Sequence, residues 1–244
     1  LENPILSAAC EPLAPSAACP PAHPLPLPQA TMPVDHYENF PVASLLLPAR
    51  LRRPIEVIYR FARAADDIAD EGEASDAERL AGLAAYQAEL DRIEAGLPTE
   101  NPEFSELATV VAAWRLPVQL LRDLLDAFAQ DVTKKRYADR AELLDYCRRS
   151  ANPVGRLLLH LFGRTEAIHL ARSDAVCTAL QLVNFWQDVA LDWQKGRVYL
   201  PQDELRRFAV GEAQIAEGRC DDAWTALIDA QLDHARRLLQ DGAP

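Results

Sequence analysis

The sequence predicts a single all-α domain, and three observations carry that prediction. Alanine and leucine dominate a chain of 244 residues that is 49% hydrophobic with only nine glycines, a composition that favours helices over sheets. Proline, glycine and capping residues fall between apolar stretches of helical period, where helices start and stop. No stretch shows a convincing strand alternation, and no internal repeat is visible. The length leaves ample apolar content for a core.

Taken in order, residues 1–33 stand apart. They hold nine of the eighteen prolines and only two charged residues, Glu2 and Glu11. With no basic n-region this reads as a flexible proline-rich tail rather than a secretory signal. Met32 is the only methionine; translation is expected to begin there, the upstream stretch being a misassigned start. From Val34 onward the punctuation is helical. Pro54 suits a first helical turn, and apolar and small residues then run to Ala69. Asp76 is expected to cap a helix carrying Leu80, Leu83, Leu90 and Ile93, stopped by Gly96-Leu97-Pro98. Asn101-Pro102 restarts a helix that ends at Leu116-Pro117. The next carries Leu120, Leu121, Leu124, Leu125 and Phe128 on one face. Further helices are expected over 140–149, 153–163, 172–193 and 220–240.

Charge and composition narrow the function. A net charge of −12 argues against nucleic acid as a partner, because phosphate binding wants a basic surface. The five cysteines (Cys10, Cys19, Cys147, Cys177 and Cys220) have no CxxC spacing, which fits a reduced, cytoplasmic setting. The five histidines form no HExxH or His/Cys cluster, so no zinc site is indicated. No apolar run reaches the length of a membrane span, and no GxGxxG marks a dinucleotide site.

The chemistry lies in two acidic helices. On the helix holding "ARAADDIADEG", Tyr59, Arg63, Asp66 and Asp70 sit at i, i+4, i+7 and i+11, a stripe about 60° wide. Two carboxylates ~6 Å apart repel by roughly 3 kcal/mol at an effective dielectric of ~20, but by under ~1 kcal/mol in water. Exposed, the pair means little; partly buried, it needs a cation. In "CTALQLVNFWQDVALDWQKGRVYLP", Gln181, Asn184, Asp188 and Asp192 share an arc of about 80° on a helix otherwise apolar on most sides. Such a helix is expected to be buried, so its polar stripe must face a partner or a polar cavity. Two stripes on separate helices suggest one shared cavity. Mg²⁺ suits an all-oxygen ligand set and usually bridges to substrate phosphate, so the two pairs could hold a diphosphate between them. Arg63, Arg197 and Tyr199 are placed to reach its outer oxygens.

These motifs, with "YRFARAADDIAD", "YCRRSANPVG" and "QLVNFWQDVALDWQKGRVYLP", resemble the squalene/phytoene synthase family over roughly residues 34 to 240. The resemblance implies an all-α class I isoprenoid (terpenoid) synthase helical bundle with a central cavity. It implies that Asp66, Asp70, Asp188 and Asp192 hold Mg²⁺, with Asn184 assisting, and that Arg63, Gln181, Arg197 and Tyr199 surround the diphosphate. Tyr59 belongs to the same diphosphate-facing stripe. His36 and Asn39 in "HYENF" match the stretch where the family has a diphosphate-binding His and Ser, and Tyr146 matches a tyrosine near the reacting carbons.

Within the family, Gln187 stands where many phytoene and presqualene diphosphate synthases have arginine, and Asn152-Pro153 replaces a Gly-Thr-like pair. "YENFPVAS" and "NFWQDV" resemble bacterial hydroxysqualene synthases of the hopanoid route. That implies ionisation of presqualene diphosphate, rearrangement, and water capture to hydroxysqualene, without NADPH. Phe40, Phe162, Phe185 and Trp186 are candidates to line the pocket. The nearest alternative is head-to-head condensation of two prenyl diphosphates to presqualene diphosphate or phytoene. A non-catalytic assembly factor of the same fold would be expected to lose the aspartates retained here. A lipid substrate is compatible with peripheral contact at the inner membrane and with hand-over between squalene-pathway enzymes, although no basic amphipathic helix announces either. The family usually continues past "LDHARRLLQDGAP" with further helices, so the domain expected over 34–244 lacks its last C-terminal ones.

Overall fold

Leu51 is wholly buried, and it draws the first helix further upstream than Pro54 alone indicates. In the computed structural model, which describes residues 47–243, helix α1 runs Ala49–Asp70, with Leu51 N–H bonded to the Pro48 carbonyl at 2.8 Å. Pro54 therefore lies inside the helix rather than in its first turn. His36, Asn39 and Phe40 lie outside the described residues. α2 (Asp76–Glu94) is capped by Ser75, not by Asp76: Ser75 and Glu78 form a reciprocal capping box. α3 (Pro102–Trp114) starts on an Asn101 cap as expected, and α4 (Val118–Thr133) buries Leu120, Leu121, Leu124 and Leu125.

α4 is the central helix, packed against α1, α2, α5 (Arg140–Ser150) and α6 (Asn152–Phe162). α6 packs in turn on α7 (Ala167–Gln187), and Gly155 makes that approach possible. A Cβ there would lie 2.5 Å from Cys177 Sγ and closer still to Ser173 Oγ. The long helix expected over 172–193 is two helices. α7 begins earlier and stops at Gln187, Asp188 turns the chain at φ −100° and ψ 12°, and α8 covers Val189–Gln194. α9 (Gln202–Arg207) and α10 (Glu212–Ala216) are too short for a periodic signal, and the sequence reading missed both. α11 (Asp222–Gly242) lies along α7, its end at Gly242 against Arg172 and Val176. Among the described residues the only β pairing is an isolated parallel bridge between Arg136 and Val198, and no helix is long and apolar enough to cross a membrane.

Candidate active site

The C-terminal half of α1 presents Arg63, Asp66 and Asp70, each a turn or less from the next. Arg63 stays on its own helix: Nη1 donates to Asp66 Oδ2 at 3.2 Å and Nη2 meets Asp67 Oδ1 at 2.6 Å. Asp70 reaches across the fold. Arg197 grips both its oxygens, with Nη1 donating to Oδ2 at 2.8 Å and Nη2 to Oδ1, and Lys195 Nζ lies 3.4 Å from Oδ2. The side chains of Asp70 and Arg197 are only 16% and 10% exposed. Burial pushes the Asp70 carboxyl up, but the hydrogen bonds and charge of Arg197 prevail and hold it below the ordinary range. Asp66 moves the other way, raised by burial and then by the neighbouring Asp70 charge.

A reversal of the chain after α8 delivers Arg197. Gly196 sits at φ +73°, which favours glycine, and Arg197 N–H bonds back to the Asp192 carbonyl at 2.8 Å. Arg136 fastens this turn from outside. It donates to the Gly196 carbonyl at 2.6 Å, meets Glu212 through two nitrogens at 2.6 and 2.8 Å, and lies over the Trp193 ring.

The second acidic pair differs from its expectation. Asp188 is exposed, and Leu180 and Leu191 are 54% and 60% exposed, so this stretch is not a buried helix. The break at Asp188 also ends α7 and begins α8, so the polar stripe expected on one helix is divided between two. Asp192 N–H still bonds to the Asp188 carbonyl at 2.8 Å, which keeps the two aspartates one turn apart. Asp192 is half-buried, and burial followed by the Asp188 charge pushes its carboxyl up to about 6, against the opposing pull of Arg197 and Lys195. Asp66, Asp70 and Asp192 thus share the field of Lys195, and Asp70 and Asp192 also share that of Arg197. Asp188 forms no ion pair, and the side chains of Gln181 and Asn184 form no hydrogen bond, among the described residues.

Tyr146 and Tyr199 converge on a residue the sequence reading missed. Tyr146 Oη donates to Asp131 Oδ2 at 2.6 Å and Tyr199 Oη to Oδ1 at 3.4 Å, all three being buried. Burial pushes the Asp131 carboxyl up to about 7, and Tyr146 and Tyr199 are pushed well above the usual phenol range by burial and by that carboxylate. Tyr199 also stacks on Phe185 with centroids 3.8 Å apart. The available signal was Leu124, Phe128 and Asp131 at i, i+4 and i+7, which continues an apolar stripe into a carboxylate.

Phe185 is therefore part of an aromatic stack, and Phe162 is 44% exposed. The apolar cavity instead has an aliphatic lining, Ile55, Ile58, Leu124, Val154, Leu157 and Leu158, and encloses about 210 Å³. Tyr59 closes one side of it, on the same helix stripe as Arg63 and Asp66.

Among the described residues no three His, Cys, Asp or Glu side chains converge into a metal-holding group. The donors nonetheless fit a hard divalent cation in kind. All are oxygens, and the raised carboxyls of Asp66 and Asp192 are groups whose charged form lacks a sufficient cation.

An all-helical scaffold with paired aspartates on two helices, arginine and lysine between them and an apolar cavity alongside has the build of an isoprenoid synthase. A match to squalene/phytoene synthase spans residues 34–244, and the chain belongs to that family. It is similar to a hydroxysqualene synthase of Rhodopseudomonas palustris, 38% identical over 208 residues, which are 85% of this chain and 70% of that protein. It also resembles a hydroxysqualene synthase of Sinorhizobium fredii, 42% identical over 69% of this chain and 56% of the relative. The crystal structure of a squalene synthase from Alicyclobacillus acidocaldarius superposes with a TM-score of 0.78 at 39% identity, over 85% of this chain and 77% of that one. The chain therefore spans between about half and three quarters of the length of these proteins.

Proposed function

We propose that this chain ionises presqualene diphosphate, lets the carbocation rearrange, and captures it with water to give hydroxysqualene and diphosphate. The observation that carries this reading is the Arg197 guanidinium, seated on Asp70 of α1 and within the field of Asp192 of α8, with the preceding turns of the same α1 lining an apolar cavity. A departing diphosphate needs cationic and hydrogen-bonding groups fixed in advance, and a carbocation needs a dry, apolar wall.

In this reading Arg63, Lys195 and Arg197 receive the oxygens of the diphosphate, assisted by Gln181. Asp66, Asp70, Asp188 and Asp192, with Asn184, would hold Mg²⁺, which when bound supplies Lewis-acid stabilisation of the leaving group. The cyclopropylcarbinyl C–O bond breaks with its electron pair leaving on the diphosphate. Ile55, Ile58, Leu157 and Leu158 then shield the hydrocarbon cation, and Tyr59 faces it from the same lining; Tyr146, buried on Asp131, lies outside that lining. Water adds its oxygen to the rearranged cation and releases one proton to solvent. No reductant is consumed.

Incubating the purified protein with Mg²⁺ and either presqualene diphosphate or farnesyl diphosphate tests this. Hydroxysqualene formed from presqualene diphosphate is the expected result. Efficient consumption of farnesyl diphosphate alone would replace this reading with head-to-head condensation.

A further inference from the structure

Behind the Asp70–Arg197 pair lies a second cavity, about 180 Å³, whose polar lining is Asp70, Asp76, Arg79, Lys135, Lys195 and Arg197. It shares Asp70, Lys195 and Arg197 with the site just described and has none of Arg63, Asp66, Asp188 or Asp192 in its wall. Four cations thus meet two carboxylates. One of those, Asp70, already serves both Arg197 and Lys195.

The remaining cations, Arg79 and Lys135, form no ion pair among the described residues, and Asp76 is the one other carboxylate in the wall. Arg79 spends its guanidinium on neutral carbonyls, those of Ile68, Gly72 and Ala74 at 3.0, 2.8 and 3.1 Å. Lys135 Nζ donates to the Asp131 carbonyl at 2.7 Å. Neither pairs with a carboxylate among the described residues. Burial first, and then the positive charge of Arg197, push the Lys135 ammonium down, prevailing over the opposing charges of Asp70, Asp76 and Asp131. Arg197, itself 8% exposed, also leaves Nε buried without a hydrogen-bond partner. Unpaired positive charge beside an orphaned guanidinium N–H is costly unless an anion completes it.

The geometry points to an anion site at Arg79, Lys135 and Arg197 that takes a phosphoryl group, inorganic diphosphate in the first instance. The site stands on this charge arrangement alone; only the source of the diphosphate, the leaving group of the reaction, rests on the function proposed above. Diphosphate held there would sit beside the face where it is released, and would retain the enzyme in a product-bound state.

Titration calorimetry with inorganic diphosphate in EDTA tests the site apart from turnover, because without metal the aspartates of the catalytic face repel an anion. The wild-type protein is expected to bind, and Lys135→Gln to bind at least about tenfold more weakly, as expected for loss of a charge-assisted contact. Arg79→Gln is expected to do the same; because Arg79 also ties down the end of α1, circular dichroism checks its folding and Lys135→Gln decides if it unfolds. If product inhibition by diphosphate weakens in Lys135→Gln while KM for the prenyl diphosphate holds, the anion is the released product. If KM rises in parallel, the same site takes a substrate head group. Absence of binding by the wild type, or equal binding by wild type and Lys135→Gln, overturns the site. Diphosphate binding by a protein that turns over no prenyl diphosphate would sink the proposed reaction and leave this site standing.

Discussion

The two aspartate pairs have the same four-residue spacing and opposite circumstances. On α1 the helix continues unbroken through Asp66 and Asp70, and Asp70 is buried against Arg197 with its carboxyl held low. At the other pair the helix breaks at the first aspartate, leaving Asp188 in solvent and Asp192 half-buried and raised to about 6. Identical motifs do not make identical sites. The pair bound by ion pairs to Arg197 and Lys195 is structurally committed, whereas the pair that forms no ion pair is open to a ligand.

The largest effect that would expose this contrast is Asp70→Ala. It leaves Arg197 buried and unpaired, and removing one member of such a pair costs about 3–5 kcal/mol. Urea denaturation of the metal-free protein should register that loss, and an unchanged midpoint would mean that the Arg197 contact carries no structural load. Next comes Gly155→Ala, where the new Cβ crowds Ser173 and Cys177 and pushes α6 from α7, the helix that leads into the second pair. Overpacking of this kind costs about 1–3 kcal/mol, and adding Ser173→Ala should recover part of it. A double mutant as unstable as the single would contradict the assigned clash.

A third test concerns Asp131, whose tyrosine contacts face the space between the two pairs. Its carboxyl is raised to about 7 in the fold, against about 4 in an unfolded chain. The folded state therefore keeps a proton that the unfolded state has lost between those values. This group's contribution to stability falls as pH rises through that window and is fully present only below it. Asp131→Asn should cost more stability at pH 5 than at pH 8, by at most about 1.4 kcal/mol per pH unit. A mutant curve parallel to wild type would remove the raised carboxyl from the account. The smallest effect belongs to Asp192→Asn. Relief of a half-exposed, unpaired charge should change metal-free stability at neutral pH by no more than about 1 kcal/mol, in the stabilising direction. Differential scanning of the two Asn variants, Asp70→Asn and Asp192→Asn, side by side should give shifts of opposite sign.

What could be read in the sequence followed from periodicity. Leu120, Leu121, Leu124 and Leu125 mark α4 because a long amphipathic helix repeats its signal, and Asp66 and Asp70 share a face because α1 is regular. What could not be read depends on contacts far apart in the chain. Nothing local to Asp188 marks a helix break. Nothing in "TKKRY" reveals that Arg136 would fasten the turn carrying Arg197, some sixty residues away. Asp131 escaped for a related reason: an aspartate among apolar neighbours becomes meaningful only when Tyr146 and Tyr199 arrive from α5 and from the segment after α8.

In the proposed reaction, cationic groups gathered between the two pairs promote departure of diphosphate by cleavage at carbon, followed by capture of the cation by water. Turnover of presqualene diphosphate with Mg²⁺ in ¹⁸O-water, with mass analysis of both products, tests this most directly. The label is expected in the hydroxysqualene alcohol and not in the diphosphate. Label appearing in the diphosphate or in phosphate would show attack at phosphorus and contradict the claim.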